Sequence, residues 1–80
     1  MVRQVITDAI TELLKEEGIE APLLNDDTIL LSTELDSLGF AVLVVRLEDY
    51  LGYDPFTSMK EAIYPKTLKD LIEIYEQYKP

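Results

Sequence analysis

The apolar positions of this chain change period along its length, and the changes divide it into elements. From Val2 to Glu17, the residues Val2, Val5, Ile6, Ala9, Ile10, Leu13 and Leu14 recur at steps of three and four, with Arg3, Thr7, Asp8, Thr11, Glu12 and Lys15 between them. That period predicts an amphipathic first helix. Gly18 follows directly and suits the left-handed residue that ends helices, although Glu16 and Glu17 oppose the helix dipole there. Residues 19–36 keep neither a helical nor a strand period, so a long ordered loop held by its own apolar side chains is expected. Connections of that length in a small domain are more often functional than idle. Asn25-Asp26-Asp27 within it reads as turn chemistry, because no EF-hand glycine or closing glutamate follows at the required offsets. Asp26, Asp27 and Glu34 are accordingly read as a solvated acidic edge, and no metal site is expected.

Ser37 to Leu51 is apolar nearly all round, with Leu38, Phe40, Ala41, Val42, Leu43, Val44, Val45, Leu47 and Leu51 against Arg46, Glu48 and Asp49. A second helix of that kind is either enclosed by its neighbours or keeps an apolar strip for a partner. The strip Gly39, Val42, Arg46, Asp49 falls at helical spacing and is expected to face outward. Gly52 ends the helix, and Tyr53-Asp54-Pro55 predicts an extended or turning segment. Ser58-Met59-Lys60-Glu61 has capping-box spacing and predicts a short third helix that Tyr64-Pro65 cuts off. Thr67-Leu68-Lys69-Asp70 is a weaker box opening a fourth helix, with Leu68, Leu71, Ile72, Tyr75 and Tyr78 on the buried face. The expected fold is all-α: a small four-helix bundle of three main helices and a short third, with a long loop between helices 1 and 2. It forms one domain over residues 1–80.

Composition narrows what such a bundle can do. Hydrophobic residues are 48% of the chain and charged ones 29%, the balance of a folded globular protein. No Cys and no His are present, so thiolate metal sites, disulfides and the usual general base are all missing. Nucleophilic catalysis is hard to build from what remains, and the chain is read as not an enzyme. Sixteen acids against seven bases give a net charge of −9, which argues against nucleic acid and favours a basic partner surface. No span-length apolar run or signal-peptide core occurs, so a cytoplasmic protein without membrane insertion, acting as a monomer, is expected. The five tyrosines read as core edges with wet hydroxyls rather than a base-stacking surface. Self-repulsion at this charge also predicts that modest salt or magnesium raises the melting temperature, and a flat response would show that repulsion is not a significant destabiliser.

Against this background Leu35-Asp36-Ser37-Leu38-Gly39-Phe40 stands out, because it offers a hydroxyl beside an acid at the head of the apolar helix. Asp36 and Ser37 are both common N-cap types, so a plain cap is the simpler reading of the pair alone. A phosphate diester on the Ser37 hydroxyl would nonetheless be favoured by the positive end of the helix dipole.

With Asp27-Thr28 and Leu30-Leu31 in the preceding loop, Leu47-Glu48-Asp49 ending the second helix and a capped fourth helix, the whole chain resembles an acyl carrier protein. The resemblance implies attachment rather than catalysis. A phosphopantetheinyl transferase would move 4′-phosphopantetheine from coenzyme A to Ser37, and the arm's thiol would carry acyl or aminoacyl groups as thioesters. Asp36 would correspond to the motif acid that helps the transferase recognise the site, and Leu38 to the motif apolar residue at the helix start. Where typical fatty-acid carriers present an acidic second-helix face, this chain has Gly39, Phe40 and Val42, with Arg46 further on. These four are the expected docking residues, and the docking they imply is more apolar. A specialised carrier is therefore expected, served by an acyl- or aminoacyl-activating ligase and downstream acyl-processing enzymes. Its pathway would be fatty-acid, polyketide or nonribosomal-peptide biosynthesis. The Asp54-Pro55-Phe56 turn followed by Tyr64-Pro65-Lys66-Thr67 looks closer to carriers of polyketide, peptide-synthetase or D-alanine systems than to the acidic third-helix region of the fatty-acid type. Leu43, Leu47, Ala62 and Ile63 read either as core or as the lining of a pocket for the carried chain. The alternative is an unmodified helical interaction module that docks through the second helix.

Overall fold

A computed structural model of the chain describes residues 2–20, 23–30, 37–58 and 64–79, the side chains of Ser37 and Ser58 excepted. Four helices follow one another: α1 (Val2–Glu16), α2 (Ser37–Leu51), α3 (Pro55–Ser58) and α4 (Leu68–Gln77). The all-α bundle expected from the periodicities is the architecture found, and α1 packs on both α2 and α4. Its core takes Ile6, Ala9, Ile10, Leu13 and Leu14 from α1, Leu43 and Leu47 from α2, and Leu68, Leu71, Ile72 and Tyr75 from α4. Leu30 enters the same core from the long loop.

Local chemistry sets the helix ends. At the end of α1 the Ile19 N–H donates to the Leu14 carbonyl at 2.8 Å and the Gly18 N–H to that of Lys15 at 3.0 Å, with Gly18 at φ 75°. This is the Schellman arrangement, which needs a left-handed residue where glycine stands and turns the chain sharply into the loop. At the end of α2 the Gly52 N–H donates to the Glu48 carbonyl at 2.8 Å, with φ 85°.

The loop is ordered where it is described. Asn25 Oδ1 accepts the Asp27 N–H at 3.0 Å and the Asn25 carbonyl accepts that of Thr28 at 3.1 Å, so Asn25-Asp26-Asp27 does form a turn. Ile29 then makes an isolated antiparallel bridge to Thr67, where Leu68 N–H donates to the Thr28 carbonyl and Leu30 N–H to that of Lys66. Leu24 and Ile19 pack against the core, but Leu23 is almost fully exposed. Among the described loop residues the firmest anchors are thus the buried Leu30 and the bridge at Ile29, with Ile19 and Leu24 packed against the core beside them.

Two elements differ from expectation. The third helix starts at Pro55, three residues before the predicted Ser58, because Pro55 occupies the first helical position and Asp54 Oδ1 accepts the Phe56 N–H at 2.9 Å. Proline is favoured there, where no N–H is needed; the Met59-Lys60-Glu61 part of the predicted box lies outside the described residues. On α4 the buried face is Leu68, Leu71, Ile72, Ile74 and Tyr75, whereas Tyr78 is the half-buried C-cap.

The Thr67 box at the head of α4 is complete despite its shorter acid. Thr67 Oγ1 accepts the Asp70 N–H at 3.1 Å, and Asp70 Oδ2 accepts the N–H groups of Thr67 and Lys66, both at 3.2 Å. The Thr67 N–H, followed by that of Lys66, holds the Asp70 carboxyl below its ordinary value of 3.8. Glu16 is likewise held below 4.5 by the Arg46 guanidinium, and Asp26 below 3.8 by that of Arg3. A carboxylate whose folded value is depressed contributes stability above its unfolded value and loses it as pH falls through the folded one. Acid is therefore expected to weaken the fold between about pH 5 and 2, and Asp70→Asn, which keeps an acceptor oxygen, to make the urea midpoint fall less steeply over that range. An unchanged slope would show that Asp70 does not contribute.

Candidate functional site: the head and outer face of α2

Ser37 is the first residue of α2, a 15-residue helix with no acidic side chain in its first turn. The positive end of that dipole is therefore not neutralised by a carboxylate of its own turn, and an anionic diester at this position meets a favourable field. Leu38, next along, is 74% exposed. Asp36 lies outside the described residues, as do Leu31, Glu34, Leu35, Ala62 and Ile63. Leu43 and Leu47, the other two candidates for a pocket lining, are fully buried core.

The predicted docking residues take different positions. Val42 is exposed, at 41%, and so is Asp49. Phe40 is half-buried: its ring meets Phe56 edge-on at 5.9 Å and Tyr64 at 6.3 Å, so it faces the α3 side. Gly39 is half-buried as well. Arg46 turns to α1, where Nη1 and Nη2 donate to Glu16 Oε2 and Oε1 at 2.6 and 3.0 Å, with Glu12 Oε2 at 3.7 Å. Tyr50 joins this seam by donating its hydroxyl to Glu12 Oε2 at 2.8 Å. The guanidinium is thereby committed to holding α1 and α2 together, in the bidentate geometry that suits arginine.

The outward strip is rotated by about one residue from the predicted one. Its apolar members are Leu38, Val42 and Val45, the last 61% exposed, and Asp49 continues it. Val45 is the member that the sequence pattern did not single out, although the spacing 38, 42, 45, 49 is as helical as 39, 42, 46, 49. A helix apolar on every side has too little polar contrast to show which strip faces out. A separate groove of about 330 Å³ runs along α4 between Tyr64, Asp70, Glu73, Ile74 and Tyr78, and none of the predicted docking residues lines it.

Residues 4–59 match the family model described as the phosphopantetheine attachment site. The chain thus belongs to the family of phosphopantetheine-binding carrier domains, whose prosthetic group is a covalently attached 4′-phosphopantetheine, and it is a carrier protein of that class. Carrier domains of this family are typically non-catalytic and work with transferases and biosynthetic enzymes. No curated protein and no solved structure gives a match. Among the described residues no helix is long and apolar enough to cross a membrane.

Proposed function

We propose that Ser37 is the attachment residue, and that the arm it bears carries acyl or aminoacyl groups as thioesters between enzymes that dock on the outer face of α2. The observation that carries this reading is the position of Ser37 as first residue of a long helix whose first turn holds no carboxylate, within the stretch matched by the family model. The Ser37 oxygen supplies the ester link to phosphorus and gives up its proton, and 3′,5′-ADP leaves from coenzyme A. The base is assigned to the transferase. When bound, the arm supplies a terminal thiol for thioester carriage. Asp36 and Leu38 are assigned to recognition of the site by the transferase.

Docking is assigned to Leu38, Val42 and Val45, with Gly39 and Phe40 flanking them. An exposed apolar strip favours partners with an apolar complement, which supports a specialised carrier served by its own acyl- or aminoacyl-activating ligase. The test is intact-mass measurement of the apo-protein after incubation with coenzyme A, magnesium and a broad-specificity transferase. One phosphopantetheine is expected on the Ser37 peptide; no gain with several transferases would overturn the assignment. Val45→Asp is expected to leave the fold unchanged and to weaken binding to an enzyme that reads this strip about tenfold or more, the scale of an interface anchor. Unchanged affinity by titration calorimetry would move docking elsewhere.

A further inference from the structure

The walls of the groove along α4 combine two kinds of chemistry. Tyr64, Pro65, Ile74 and Tyr78 supply apolar and aromatic surface, and Asp70 and Glu73 supply two carboxylates. Tyr64 is 81% exposed, yet Phe40 backs its ring from one side at 6.3 Å and 52°. An aromatic ring held in this way has little side-chain freedom left to lose when a second surface covers it. The carboxylates keep capacity for a further donor. Asp70 accepts the Thr67 and Lys66 N–H groups both on Oδ2, which leaves Oδ1 out of that pair of bonds. Glu73 has Lys69 at 3.9 Å, with the two side chains 63% and 60% exposed, and a pair that distant and that exposed contributes little.

We propose that this groove docks an arginine side chain presented by a protein partner, with the guanidinium stacked on the Tyr64 ring and its donors on Asp70 and Glu73. A guanidinium answers both kinds of wall at once, because its plane stacks on an aromatic face while its N–H groups fork onto carboxylates. An ammonium makes the charge contact without the stacking plane. A neutral apolar side chain covers the rings but desolvates two carboxylates without pairing them. The chain's own arginines are both committed elsewhere, Arg3 to Asp26 and Arg46 to Glu16, so the guanidinium comes from another molecule. The net charge of −9 draws such a cation in. This surface lies on a different helix from the apolar strip of α2, and its use does not depend on Ser37 as the attachment residue.

The test titrates isotope-labelled protein with the peptide acetyl-Leu-Arg-Leu-amide and follows backbone amide shifts. It is run at about 0.15 M salt, where attraction between exposed charges is screened beyond about 8 Å. Saturable shifts are expected within residues 64–78. The citrulline peptide, which keeps the shape and loses the charge, should bind about fivefold more weakly, with the lysine peptide between the two. Tyr64→Ala and Glu73→Gln, both on exposed side chains, should each weaken the arginine peptide about threefold with unchanged circular dichroism. Should Tyr64→Ala lose its fold with the Phe40 contact, Glu73→Gln decides by itself. The proposal is overturned by shifts scattered over the acidic surface, by none that saturate within residues 64–78, by equal affinity for the arginine and citrulline peptides, or by undiminished binding in the folded variants.

Discussion

Ser37→Ala is expected to take covalent loading from one phosphopantetheine per chain to none, without loss of the fold. The reasoning is local. The substitution removes the only hydroxyl in the first turn of α2, where residues 37–40 read Ser-Leu-Gly-Phe. Because Ser37 already belongs to the helix, alanine there is a better helix former and costs the fold no more than about 0.5 kcal/mol. Circular dichroism and melting temperature should therefore match wild type while the mass gain disappears. Ser58→Ala, which alters the hydroxyl at the end of α3, is the control and should load fully. Loading of the Ser37→Ala protein would place the attachment elsewhere. Normal loading of wild type together with loss of circular dichroism in the variant would show that the serine is needed for folding instead.

Leu47→Ala is the second large effect, and it falls on stability. Leu47 is fully buried where α2 packs into the core shared with α1 and α4. Truncating it removes transfer free energy and leaves a cavity that a close-packed interior fills only in part, a loss of about 2–5 kcal/mol. Natural domains have only about 5–15 kcal/mol in hand, and small ones sit at the lower end. The melting temperature should drop by roughly 10–30 °C, read by calorimetry or circular dichroism. By contrast Leu38→Ala, on the exposed strip, should change stability by less than about 0.5 kcal/mol. A Leu47→Ala protein as stable as wild type would mean that this part of α2 does not hold the bundle together.

The contrast between Leu47 and Leu38 also measures what is legible in the sequence. The two are the same residue type in the same helix, one enclosed and one 74% exposed. Helix α1 is legible because its polar and apolar residues separate into two faces, and α4 because its Thr67 box and its apolar stripe agree. The apolar α2 carries no such contrast. Its pattern leaves the outward strip open, and Arg46 is expected on it although the guanidinium belongs to the α1 seam. Tyr75 shows the same limit. A phenol has an apolar body and a polar tip, and whether that tip meets water depends on neighbours distant in sequence, here Tyr53 and Phe56.

The sequence by itself determined helices α1, α2 and α4, the ends at Gly18 and Gly52, the lack of any His or Cys side chain, and the serine at the head of α2. These follow from near neighbours, whose periodicity, capping and backbone preferences act over a few residues. Only the tertiary structure decided which strip of α2 faces out, that Arg46 is bound to Glu16, that Leu30 reaches the core beside the Ile29–Thr67 bridge, and that the Tyr75 hydroxyl is buried without a hydrogen-bond partner among the described residues. Each of these depends on contacts between residues far apart along the chain. Packing chooses among several apolar surfaces that a local pattern leaves equivalent.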